Sequence, residues 1–236
     1  ASACGGDDGA GTAQFILEAE SSIADGIAAG AGEDDVQDGW SISYDRYVIA
    51  IGDIQIGRST ESEVDLAAAA VRVVDLTALP PTGLVLASFE DAPAVRYDRV
   101  SYAIPVVTAT AMPDSSTDQA TVDTMASEGL STWITGSISN GTDTIAFEFK
   151  SDSDTLYSNC GPEDGDLGFA VIDGGTAQAT ATIHGDHYWF NAFPEGFEGS
   201  IVRYAGWLAL ADADDNNTVS AAELSAAAAA TIWSLT

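Results

Sequence analysis

The acidic run Asp212-Ala213-Asp214-Asp215-Asn216-Asn217-Thr218-Val219-Ser220-Ala221-Ala222-Glu223 carries side-chain oxygens at alternate positions, Asp212, Asp214 and Asn216, and closes with the carboxylate of Glu223. A tight loop can turn such short donors toward one centre, and calcium takes roughly six to eight oxygens of this kind. The alternative is an acidic loop that caps a helix. A second run, His184-Gly185-Asp186-His187-Tyr188-Trp189, holds the only 2 histidines of the chain. Imidazole is the commonest ligand for zinc and copper, and Asp186 or Glu195 could add an oxygen or orient a ring through its second nitrogen. On a straight strand, residues three apart face opposite sides, so the rings meet only if Gly185 lets the backbone bend. Without that bend, both are loop histidines bonded to backbone carbonyls.

The 212–223 run resembles the calcium loop of the EF-hand family. The resemblance implies side-chain ligation by Asp212, Asp214 and Asn216, a backbone carbonyl from Thr218, a water-mediated contact from Ser220 and both carboxylate oxygens of Glu223. Val219 matches the apolar eighth place, which pairs the loop with a partner loop or packs it down. Asn217 stands where the family has Gly; Asn is the next most tolerant residue of left-handed backbone, so the turn is expected to survive. Helices are expected over 200–210 and, Ala-rich, over 223–233. One such loop implies a structural ion rather than a paired, opening sensor. The spacing of His187 and Trp189 is similar to that in secreted copper-binding surface proteins of methane-oxidising bacteria, which use two His and an oxidised Trp. That resemblance implies copper at His184 and His187 with Trp189 beside it, although in that family the histidines lie far apart.

The 236 residues include 37 Asp+Glu against 7 Lys+Arg, a formal net charge of -30. Nucleic acid is excluded as a partner, because phosphate contacts need clustered Lys and Arg. No run reaches the roughly 18–20 apolar residues of a membrane helix. Neighbouring carboxylates repel, so divalent cations or salt should stabilise the fold. No Gly-x-Ser-x-Gly, His-Glu-x-x-His, phosphate-binding or dinucleotide motif occurs, and a non-enzyme is expected. Cys4 and Cys160 form either one long-range disulfide or two unrelated thiols. The opening Ala1-Ser2-Ala3-Cys4-Gly5-Gly6 resembles the lipid-attachment box of bacterial lipoproteins, which implies export and a surface anchor; the departure is that three residues precede the cysteine.

The elements that must hold these residues read as mainly β. Alternation runs through 40–44 and 47–56, and 71–74, 84–87 and 95–107 follow as strands. Asn140-Gly141 between 131–139 and 144–150 signals a hairpin, and Asp173-Gly174-Gly175 between 168–172 and 177–183 signals another. The stretch 13–28 suits helix or strand equally. Turn signals at short spacing favour antiparallel β-sandwiches with a C-terminal helical calcium-loop element. The expected division is a tether over 1–12, a β unit over 13–108, a linker or crossing loop over 109–126, a second β unit over 127–193 and a helical segment over 194–236. The strands vaguely resemble sandwich domains of bacterial surface lipoproteins, which implies no particular function. The expected role is a secreted or cell-surface calcium-binding protein with a copper or zinc site at the histidines. The alternative is a self-assembling extracellular subunit, a filament or surface layer stabilised by calcium.

Overall fold

The computed structural model describes residues 9–160, 168–190 and 202–229 and is mainly β, with 47% strand and 16% helix. The elements are β1 (Ala10–Ala19), α1 (Ser21–Ala24), β2 (Ser41–Gly57), β3 (Val64–Ala68), β4 (Arg72–Asp75), β5 (Leu84–Pro93), β6 (Arg96–Tyr97) and β7 (Arg99–Ile104). Then come β8 (Met112–Pro113), α2 (Gln119–Glu128), β9 (Thr132–Ser139), β10 (Thr144–Ser151), β11 (Thr155–Cys160), β12 (Phe169–Ala170) and β13 (Thr176–Ile183). A 3-10 turn (His187–Trp189), α3 (Trp207–Ala211), β14 (Thr218–Val219) and α4 (Ala221–Ala229) complete the described chain.

The apolar run Tyr47-Val48-Ile49-Ala50-Ile51 sets the layering. Side chains alternate across a strand, so an unbroken apolar run needs cover on both faces. Tyr47, Ile49 and Ile51 enter the main core, with Phe15 and Leu17 of β1, Ile134 and Ile138 of β9, and Phe147 and Phe149 of β10. Val48 and Ala50 enter a second core with Val122 and Met125 of α2 and Leu130. Halfway along, β2 changes partners: its first half pairs with β9 and β4, its second with β7 and β3. A bulge between Gly52 and Gln55 makes the switch, with Asp53 at a φ of 49°. Gly52 is required there, since a Cβ would stand 2.5 Å from the Ala70 carbonyl oxygen.

The antiparallel expectation is corrected to mixed sheets. A nine-stranded sheet runs β11-β7-β2-β9-β10-β14 with β3, β4 and β8 at its side, and a three-stranded sheet runs β13-β1-β5. β1 pairs with β13 in parallel, as do β10 with β14 and β4 with β8. The two expected β units also interleave, since β2 pairs with β9 and β1 with β13. The Asn140-Gly141 hairpin forms between β9 and β10, with Gly141 at a φ of 85°. The second hairpin does not. Gly174 turns the chain, but its N–H donates to the Ala10 carbonyl at 2.8 Å, so the turn docks on β1 and feeds β13 alongside it in parallel.

Two segments differ from expectation. The expected linker over 109–126 contains β8 and most of α2. α2 is framed by Asp118, whose carboxylate accepts from the Thr121 N–H at 2.8 Å, and by Gly129 at a φ of 68°, a start and a stop signal for one short helix. Residues 10–12 of the expected tether belong to β1, while 1–8, and with them Cys4, lie outside the described residues. Among the described residues no helix is long and apolar enough to cross a membrane.

Candidate metal centres

The loop between α3 and α4 turns on two residues in left-handed backbone, Asp215 at a φ of 57° and Asn217 at 63°. Asn217 therefore does take the conformation for which the family uses Gly. The Asp212 carboxylate accepts from the Asn216 N–H at 3.1 Å and the Asn217 N–H at 2.9 Å, and Asp214 accepts from the Asn216 N–H at 3.2 Å. Glu223 reaches back from the first turn of α4. One of its oxygens accepts from the Ala213 N–H at 3.0 Å, the other from the Ser220 N–H at 2.9 Å and hydroxyl at 2.7 Å. The Ser220 N–H above all, then its hydroxyl, holds the Glu223 carboxyl below the ordinary glutamate range, so it is an anion at neutral pH. One oxygen each from Asp212, Asp214 and Glu223 lies within 4.8 Å of the others.

Val219 packs this loop down. It is fully buried, and β14 pairs Thr218 with Ala146 and Val219 with Phe147 of β10. A strand of the large sheet thus occupies the edge that a second loop would take. α3 spans 207–211 where a helix over 200–210 is expected, and α4 spans 221–229 where one over 223–233 is expected; 200, 201 and 230–236 lie outside the described residues.

The histidine run bends as required. β13 ends at Ile183, and Gly185 then presses against α1, where a Cβ would stand 2.6 Å from the Ile23 side chain. The Gly185 N–H donates to the Ser22 hydroxyl at 3.3 Å, and its carbonyl accepts from the Tyr44 hydroxyl. The bend stacks the His184 and His187 rings with centroids 5.0 Å apart and planes 12° from parallel. Ligand atoms of His184, Asp186 and His187 fall within 4.8 Å of one another.

No family model matches the chain, and no curated protein or solved structure matches it. The geometry alone therefore bears on function. Asp186 is buried, and Arg203, invisible to spacing arguments, holds it: Nε donates to Oδ2 at 3.0 Å and Nη2 at 2.5 Å. Glu20, also unforeseen, sets its Oε1 3.4 Å from His184 Nδ1. Trp189 faces away from the imidazoles' exposed side. It is fully buried among Phe147, Phe149 and Trp207, and its indole N–H donates to the Tyr44 hydroxyl at 2.7 Å. Burial drives the Tyr44 hydroxyl well above the ordinary tyrosine range, so it stays protonated and passes the bond on to Gly185. Trp189 thus supports the bend from within the core. Glu195 lies outside the described residues. Cys160 ends β11 half-buried, and Cys4, its partner in the disulfide alternative, lies outside the described residues.

Proposed function

We propose that this protein binds calcium as a structural ion at residues 212–223. In this reading Asp212, Asp214, Asn216, the Thr218 carbonyl, Ser220 and Glu223 supply the shell. α3, the loop and α4 act as a single EF-hand-like unit, docked on sheets that serve as sandwich layers. The supporting observation is the convergence of three carboxylates within 4.8 Å on a loop already turned by Asp215 and Asn217. Three like charges that close repel one another until a cation sits between them. An exposed site of this kind suits the calcium of an extracellular or cell-surface setting, where binding modules have weak affinities, and a lipid anchor at Cys4 fits the same setting.

A ligand bound only by the folded state adds stability as RT ln(1 + [L]/Kd), about 2.7 kcal/mol at a hundredfold excess over Kd. The test is thermal melting in calcium and in chelator. The wild type should melt higher in calcium, and Glu223→Gln should remove most of that difference. Equal melting temperatures for the wild type in both conditions would overturn the reading.

A second reading, self-association into a calcium-stabilised surface assembly, draws on β11. Among the described residues this strand pairs only with β7 and exposes Leu156 (66%) and Tyr157 (41%), an edge open to strand addition. Sedimentation in calcium and in chelator tests it; a monomer in both conditions at high concentration removes its support.

A further inference from the structure

Burying an ionised carboxylate is costly unless each oxygen is satisfied. The Asp186 side chain is 5% exposed. Its Oδ2 takes both Arg203 bonds, yet Oδ1 is buried with no hydrogen-bond partner. That orphaned oxygen lies 3.8 Å from His187 Nε2, beside two stacked imidazoles. The geometry points to a transition-metal site, of the zinc class, held by His184, Asp186 Oδ1 and His187 Nε2 and separate from the calcium loop.

The chemistry of the donor set fits. Two imidazoles and one carboxylate are a common zinc set, and ligands of one tetrahedral zinc stand about 3.3 Å apart, somewhat closer than these atoms do now. An imidazole lone pair lies in the ring plane, so closing that distance requires the His187 ring, 56% exposed, to turn out of its stack with His184. Arg203 binds Oδ2 from the far side, fixing the carboxylate plane with Oδ1 presented toward the rings. Glu20 is placed to hold the Nδ1 side of His184, which leaves Nε2 to coordinate, the usual carboxylate–histidine–metal relay. Ser22 donates to the other Glu20 oxygen at 2.7 Å and so steadies it. Three protein ligands leave a fourth position open. Both imidazoles line a cavity of about 570 Å³ that also takes in Tyr47, Tyr102, Tyr157 and Tyr188, through which water or a small ligand reaches the ion.

The experiment is calorimetric titration of the full chain, first stripped with chelator, with zinc in excess calcium so that general carboxylate binding is saturated. One zinc per chain is expected. His187→Ala should abolish this binding, and Glu20→Gln should weaken it about 10–100-fold. Cobalt in place of zinc should give the intense visible absorption of a tetrahedral site and lose it in His187→Ala. Circular dichroism of each variant separates loss of a ligand from loss of fold. Glu223→Gln should leave the zinc isotherm unchanged, so failure of the calcium reading and failure of this one are distinguishable. A wild type that takes up no zinc, or a folded His187→Ala that binds it equally, would overturn the site.

Discussion

Buried carboxylates hold the backbone in this fold. Asp75, at the end of β4, accepts from the Tyr47 N–H at 3.1 Å, the Thr77 N–H at 3.2 Å, the Thr77 hydroxyl at 2.8 Å and Arg46 Nε at 3.4 Å. Asp75→Ala would strand the buried Tyr47 N–H in β2, a loss of about 1–3 kcal/mol that urea denaturation should register. At the two candidate metal centres, what the sequence displays is what lies close in sequence. Asp212 to Glu223 form one contiguous run, and His184, Asp186 and His187 another, so both groups are readable from spacing. Glu20 and Arg203 reach Asp186 and the histidines from distant parts of the chain, and no local pattern marks them. Trp189 shows the converse. Its closeness to His187 in sequence suggests a place at the ion, but the 3-10 turn carries its ring into the core.

At the scale of elements, β2 and the β9–β10 hairpin are legible because their signals are local: alternation, a two-faced apolar run and Asn140-Gly141. α2 is hidden because its inward face is short, only Thr121, Val122 and Met125 being buried, although Asp118 and Gly129 mark its limits. Met125→Ala should cost about 2–5 kcal/mol by opening the second core. Asp118 yields a pH prediction. The Thr121 N–H holds its carboxyl below the ordinary aspartate range, so the cap contributes stability above the unfolded-state pKa and loses it as pH falls through the lower folded value. The melting difference between wild type and Asp118→Ala should be constant near neutrality and shrink below about pH 4. Asp118→Asn should flatten that pH dependence while retaining a capping oxygen.

For the whole molecule, the net charge of -30 should make stability depend on salt. The melting temperature should rise steeply up to about 0.15 M sodium chloride, where the Debye length is about 8 Å, and level at higher salt; an unchanged melting temperature would show that the carboxylates are too far apart to repel. The parallel register of β1 on β13, with Ala13 opposite Ala177, carries a consequence for the order in which the fold is made. β1 pairs with β5 on its other side, so that half of the three-stranded sheet can assemble early in synthesis. The edge meant for β13 must then wait while the β9–β10 hairpin is still being made. Pairings between such distant stretches are slow, on the order of milliseconds to seconds once the chain is complete. During the wait β1 offers an unsatisfied strand to any neighbouring nascent copy. Crowded synthesis, more than heat, is therefore the condition under which this chain should misassemble.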